Sequence, residues 1–109
     1  MSVNVNTLIR PILLGALVLP SALGWAQAYP SRPIRIVTSE PGGGNDILAR
    51  IVADGLTNSL SQRAIVDNRG IVAVEIAAKA MPDGHTLVVY GATTWLMPFL
   101  SDKVAWDPL

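Results

Sequence analysis

Apolar and polar positions along the chain form three short β-branched runs separated by two stretches with helical spacing. Residues 34–38 read Ile-Arg-Ile-Val-Thr, and Pro30 and Pro33 block helix on their N-terminal side, so the pattern predicts a strand. The turn-rich sequence Glu40-Pro41-Gly42-Gly43-Gly44-Asn45-Asp46 follows it. Ile47, Leu48, Ile51, Val52, Leu56 and Leu60 then recur on one helical stripe, which predicts an amphipathic helix with Asn45 or Asp46 capping its start. A second apolar strand is predicted over residues 64–67, a turn over 68–70, and a helix over 72–80 that Pro82-Asp83-Gly84 stops. Residues 86–90 form the third β-branched run and 91–94 a polar loop, while 95–100 suit either a short helix or an extended segment. The order β-α-β-α-β, with strands apolar throughout, predicts an α/β fold: a parallel sheet covered on both faces and joined by right-handed crossovers.

The N-terminus changes the picture of where the folded part begins. Arg10 is the sole charge among residues 1–10, residues 11–23 are mostly apolar, and Ala26-Gln27-Ala28 places small residues where a signal peptidase reads them. This predicts an export signal over residues 1–28, removed after Ala28. A membrane-spanning helix is the alternative, but the apolar run falls short of the roughly 18–20 residues needed and is interrupted by Pro20. Eight basic residues balance eight acidic ones, which gives no electrostatic reason to expect nucleic acid. Cysteine is absent, which rules out disulfides and thiolate metal sites.

In an open parallel sheet, ligands gather beyond the C-terminal ends of the strands. Residues 39–46, 68–70 and 91–95 fall there. Gly42, Gly43 and Gly44 carry no side chains to block approach, so amide groups at the helix start can face an anion. Against a phosphate loop, no Gly-Lys-Ser/Thr follows. The dinucleotide pattern is half met, with Gly42 and Gly44 in place, Ile47 where the third small residue belongs, and Asp67 where a ribose-binding acid would sit. His85, beside a Pro-Asp-Gly turn, reads as an exposed turn residue rather than a catalytic base. Ser39 lies outside any nucleophile elbow, and no His–carboxylate pair has metal-ligand spacing, so neither catalysis nor a metal site is expected. Asp46 is either a helix-start acid or a ligand-facing acceptor. Arg69 either meets a carboxylate or pairs with Asp67, and Trp95 and Trp106 read as packing residues.

Arg32-Pro33-Ile34-Arg35-Ile36-Val37, Pro41-Gly42-Gly43 with Asp46 and Ala49-Arg50, Val66-Asp67-Asn68-Arg69, and Ala78-Lys79-Ala80 with Pro82-Asp83-Gly84 and Thr86-Leu87 occur in this order. Together they resemble the Bug family, the substrate-binding receptors of tripartite tricarboxylate transporters. The resemblance implies a two-lobed periplasmic binding-protein fold of type II, of which residues 29–109 are an incomplete first lobe. It also implies a cleft for small carboxylates, delivery to the transporter's membrane subunits, and no cofactor. The family's first cleft loop matches Pro41, Gly42, Gly43 and Asp46, and its loop after the third strand matches residues 91–94. With Ser39 and Gly44 from the same first loop, the candidate ligand-binding set is Ser39, Pro41, Gly42, Gly43, Gly44, Asp46, Thr93 and Thr94. Only residues 70–77 separate Asn68-Arg69 from Ala78-Lys79-Ala80, shorter than the family's glycine-rich stretch.

A core of this size supplies about 3–5 kcal/mol, which predicts marginal stability. Two further readings stay open. One is a nucleotide-binding oxidoreductase fragment, on Gly42, Gly44 and Asp67. The other is a non-functional remnant of a disrupted receptor gene, on the end at Leu109 without a capping element and on the short stretch after Arg69.

Overall fold

The computed structural model describes residues 28–107, so the proposed export signal over 1–28 lies outside the described residues except for Ala28. Three parallel strands, β1 (Ile34–Thr38), β2 (Ala64–Asn68) and β3 (Thr86–Val89), form a sheet in the order β2-β1-β3. Helix α1 (Gly44–Leu60) connects β1 to β2. A tight helical turn (Gly70–Val72) and helix α2 (Ala73–Ala78) connect β2 to β3, and α3 (Thr93–Leu100) follows. The α/β architecture and parallel pairing agree with the sequence pattern, and β1 has the predicted bounds.

The chain leaves β1 toward one side of the sheet and returns past it to the other. Crossovers of one hand therefore place α1 and α2 on opposite faces. Side chains alternate along each strand to match. Ile34 and Ile36 are fully buried with Ala49 and Ala53 of α1, and Val66, Leu87 and Val89 pack against that cluster. Val37 faces the other way and is buried on the side where Ala73 and Val74 of α2 are also buried. The α2 face is incomplete: Ile65 on β2 is 45% exposed.

Helix α1 corrects the predicted core stripe. Ala49 and Ala53 are its buried apolar residues, with Val52, Leu56 and Leu60 packed beside them, whereas Ile47, Leu48 and Ile51 are at least half exposed. Helical spacing admits both stripes, and the small alanine side chains let the helix axis lie close over Ile34 and Ile36. The predicted cap is corrected too. Gly43 holds the N-cap position without a side-chain bond, so neither Asn45 nor Asp46 is the cap residue. Ser61 ends the helix in the left-handed region at φ 52°, and Thr57 accepts the Ala64 N–H at 3.0 Å through its hydroxyl, turning the chain into β2.

His85 is buried rather than exposed, contrary to its position beside a turn. Its Nε2 accepts the Ser31 N–H at 3.2 Å, and the Tyr29 ring stands edge-on to it at 5.0 Å. Tyr29 also donates to the Gly84 carbonyl at 2.6 Å, and Arg32 donates to Asp83 at 2.8 Å. Hydrogen bonds from the His85 backbone N–H and then from Arg32 lower the Asp83 pKa to about 2. The segment before β1 is thus clasped to the turn before β3, which places this cluster at the N-terminal end of the sheet.

The two α1 stripes give opposite expectations. Ala49→Leu should cost about 1–3 kcal/mol by overpacking the helix against the sheet, while Ile51→Ser should stay within about 0.5 kcal/mol, as surface changes do. Denaturant melts of the two variants check this, and equal losses would return Ile51 to the core.

Candidate functional site

The reversal of strand order at β1, with β2 on one side and β3 on the other, makes the C-terminal end of the sheet a topological switch point, where the loops after β1 and β3 diverge and leave a crevice. Three connections meet on this crest. The register brings Thr38 level with Asn68 on one side and Val89 on the other. Thr38, fully buried, donates its hydroxyl to the Val89 carbonyl at 2.7 Å, and its own carbonyl accepts the Arg69 N–H at 2.8 Å. Asn68 spends both amide hydrogens across the crest, donating to the Ser39 carbonyl at 2.8 Å and to Asp46 Oδ1 at 2.9 Å. On the other side the Asn45 amide lies 3.7–3.8 Å from where a Cβ on Gly91 would stand, so the third loop closes up against the start of α1.

Asp46 is the centre of this arrangement and is 5% exposed. Its Oδ2 accepts the Gly42 N–H at 3.0 Å and Arg50 Nε at 3.3 Å. Its Oδ1 accepts Asn68 and stands 3.1 Å from Arg50 Nη2 one turn along the helix. The hydrogen bond from Gly42, then those from Asn68 and Arg50, lower its pKa to about 2 against the opposing cost of burial. Of the two readings of Asp46, the geometry supports the helix-start acid, since the carboxylate is turned inward and engaged on both oxygens. The Gly42 N–H is likewise spent inside the loop, so it is not offered outward.

Pro41, Gly42, Gly43 and Gly44 are exposed and Ser39 is half-buried. Gly42 needs its missing side chain, because the loop turns there at φ 89°. Added Cβ atoms at Gly42 and Gly44 would meet nothing within 4 Å, so the outer side of this loop is open. The first amides of a helix have no acceptor inside it, which leaves the outward-facing start of α1 able to bind an anion. On the far side of the crest, Gly70 sits at φ 60° against the Glu40 carboxylate. Burial, and then the charge of Glu40, push the Tyr90 phenol up. The crest therefore carries an acid on its α2 side.

Residues 91–94 are not the polar loop predicted. Thr93 and Thr94 are the first residues of α3, with Ala92 at its N-cap. Thr93 is exposed, and Thr94 lines a groove of about 410 Å³ beside β3 with Leu87, Val88 and Trp106. Gly91 is the member of this segment that reaches the crest. Other cavities lie at the α1–β2 edge, about 390 Å³ with Arg50 among its lining residues, and at the Tyr29–His85 clasp, about 350 Å³ at the opposite end of the sheet.

Asp67 is engaged with two arginines, accepting Arg35 Nε at 2.7 Å and Arg69 Nε at 2.8 Å. Partial burial raises its pKa, but the bonds from Arg69 and Arg35 outweigh this and the net shift is downward. The carboxylate that a ribose-binding reading requires is committed, and Arg69 takes the surface-pair role. Asn68 and Arg50 were absent from the candidate set. The Asp46–Arg50 spacing of four was a signal for their pairing, whereas nothing local in the sequence shows that Asn68 reaches across to Ser39 and Asp46.

Comparison with known proteins places these features. The family model described as "Tripartite tricarboxylate transporter family receptor" matches residues 48–109. A UPF0065 protein of Bordetella bronchiseptica is 39% identical over 106 residues, covering 92% of this chain and 31% of that protein. The BugT protein of Bordetella pertussis is 38% identical over 93 residues, covering 75% of this chain and 28% of its own length. A solved structure described as that of a periplasmic transporter superposes with a TM-score of 0.67 at 36% identity, over 74% of this chain and 29% of that one. The chain thus spans under a third of the length of the relatives it matches. Through the family match over more than half of its residues, and the fold it shares with a periplasmic transporter protein, the chain belongs to the tripartite tricarboxylate transporter receptor family.

Proposed function

We propose that this chain forms the first half of a solute cleft, in an exported receptor that holds a small carboxylate and presents it to the membrane subunits of a tripartite transporter. The observation that carries the reading is the open glycine loop at the switch point, clamped from behind by Asp46 and Asn68. Asp46 brings a negative charge to the helix start, but Arg50 pairs with both its oxygens and cancels it locally. A carboxylate arriving from outside meets a near-neutral pair and the remaining amides of Gly43, Gly44 and Asn45. In this reading the Ser39 hydroxyl, on the same loop, completes its shell. A hydrogen bond to a charged group contributes about 1.5–3 kcal/mol and a helix end about 0.3–1. These overlap in what they count, so this half alone holds a carboxylate at about millimolar strength. Export follows from residues 1–28, with the mature chain starting at Tyr29.

Amide resonances of Gly43 and Gly44 should shift on titration with citrate, succinate or glutamate, with millimolar midpoints, and remain still with succinamide, which has no charge. Glu40→Gln should tighten the carboxylates by a few-fold, because it removes a like charge from the crest. Equal response to the acids and the amide, or none up to tens of millimolar, counts against the carboxylate cleft.

The Asp46 tie has its own pH signature. A carboxyl lowered to about 2 when folded binds its proton later than in the unfolded chain, so its stabilisation is complete above about pH 4 and is lost as pH falls toward 2. Asp67 and Asp83 lose theirs with the same sign. Asp46→Asn should therefore lower the melting midpoint at pH 6 and flatten, without abolishing, the fall between pH 4 and 2. A variant that melts like the parent at pH 6 shows that the tie does not hold the loop.

A further inference from the structure

A buried histidine ties the segment before β1 to the turn before β3, and its hydrogen-bond partners fix which of its nitrogens carries the proton. On one edge of the ring, Nδ1 lies 3.2 Å from the Asp83 backbone carbonyl and 3.4 Å from Asp83 Oδ1, and both of these oxygens can only accept. On the other edge, Nε2 lies 3.2 Å from the Ser31 backbone nitrogen, whose N–H can only donate. One form of the ring satisfies both edges, the neutral one with its proton on Nδ1. The charged and titratable groups around the ring are few. Asp83 is on its own turn. Tyr29 and Arg32 face it from the segment before β1, the Tyr29 ring edge-on at 5.0 Å and Arg32 Nη2 held on Asp83 Oδ2 at 2.8 Å. β1 adds Arg35, whose backbone N–H bonds to the His85 carbonyl at 2.8 Å while its guanidinium is committed to Asp67. Of these residue types, only histidine changes charge between about pH 8 and about pH 5.

A second proton on the ring has one place to go, Nε2. There it turns the acceptor of the Ser31 N–H into a donor, and two donors facing each other make no bond. The Asp83 carboxylate steadies the charged ring from its other edge, so the ring stays in place and release falls on Ser31. The cavity of about 350 Å³ beside the clasp is lined by Ala28, Tyr29, Ser31, Arg32, Asp83 and His85, which gives the freed amide access to water in place of its lost acceptor. We infer that His85 is a proton-operated latch: neutral, it holds the lead-in to β1 against the turn before β3, and protonated, it lets Ser31 go. The held segment starts at the residue after which the export signal is proposed to end, so the latch governs how firmly the first residues of the mature chain lie on the fold. It sits at the opposite end of the sheet from the crest and is independent of the carboxylate reading.

His85 is the single histidine of the 109 residues, so its ring resonances are unambiguous. Imidazole nitrogen spectra of the full chain should show the proton on Nδ1 at pH 8. As the pH falls to 5, protection of the Ser31 amide, corrected for the intrinsic pH dependence of exchange, should drop about tenfold or more, with the same midpoint as the ring. His85→Gln offers Ser31 a neutral acceptor and should keep that protection flat across the range, while His85→Phe should lack it already at pH 8. A proton on Nε2 at pH 8, Ser31 protection that does not follow the ring, or the same drop in His85→Gln overturns the latch. The first two readouts are taken on the unsubstituted chain, so they decide the matter even where a variant does not fold.

Discussion

The crest depends on one buried carboxylate. Asp46 joins four parts of the chain that are distant in sequence or differently oriented: the glycine loop through Gly42, the body of α1 through Arg50, the tip of β2 through Asn68, and by the same asparagine the end of β1 at Ser39. An isolated charge in this position would carry a large desolvation cost. Here each oxygen has a donor that prefers the ionised form, and so the group stays an anion well below ordinary carboxylate values. The consequence is mechanical as much as electrostatic. With Gly42 held inward, the next amides lie at the start of a helix whose axis is fixed by Ala49 and Ala53 on the sheet. A loop positioned in this way would lose less conformational entropy on binding a ligand, as the proposed reading requires.

The same tie bears on what the crest can bind. Helix starts favour anions, and a carboxylate already seated at one would ordinarily repel a second. Arg50 removes that objection because it meets both oxygens of Asp46 from the next turn. Glu40 does the opposite on the α2 side, adding a negative charge beside Gly70 and Tyr90. The crest is therefore polarised across its width. Under the proposed carboxylate reading, its α1 side would take the ligand's carboxylate and its α2 side a neutral or donating part of the same molecule.

Much of this was legible in the sequence, and the limits follow a pattern. Strand positions came from β-branched runs bounded by proline and glycine, and β1 was placed to the residue because Pro33 and the turn at Glu40 punctuate it on both sides. The parallel order followed from alternation of strands with helices. The misread stripe of α1 has a different origin: Ile47, Leu48 and Ile51 outrank alanine on any hydrophobicity scale, and only the approach of the helix to Ile34 and Ile36 shows that the small residues face inward. His85 failed for a related reason, since its partners Tyr29 and Ser31 lie more than fifty residues away. Thr93 and Thr94 were read as loop because threonine is a weak helix former, whereas the Trp106 indole, bonded to the Thr94 carbonyl, ties the start of α3 to the segment that follows it. Local chemistry is visible in a window of residues, and pairings across the sheet are not.

Polar and apolar groups differ in how completely these residues satisfy them. Among the described residues, no buried side-chain nitrogen or oxygen lacks a hydrogen-bond partner, and the crest is closed by bonds between near neighbours in space. Apolar surface is left open on α1, on Ile65 of β2 and along α3. A hydrogen bond needs one correctly placed partner, which a turn or an adjacent strand tip can supply. Burial of Phe99 or Ile51 needs a surrounding layer, and layers are the last thing a partial sheet acquires. The geometry of the crest is thus a property of the loops and strand tips, whereas the apolar faces of these residues lack their covering layer. That division explains how a chain under a third the length of its relatives orders its glycine loop while leaving apolar faces of α1, β2 and α3 exposed.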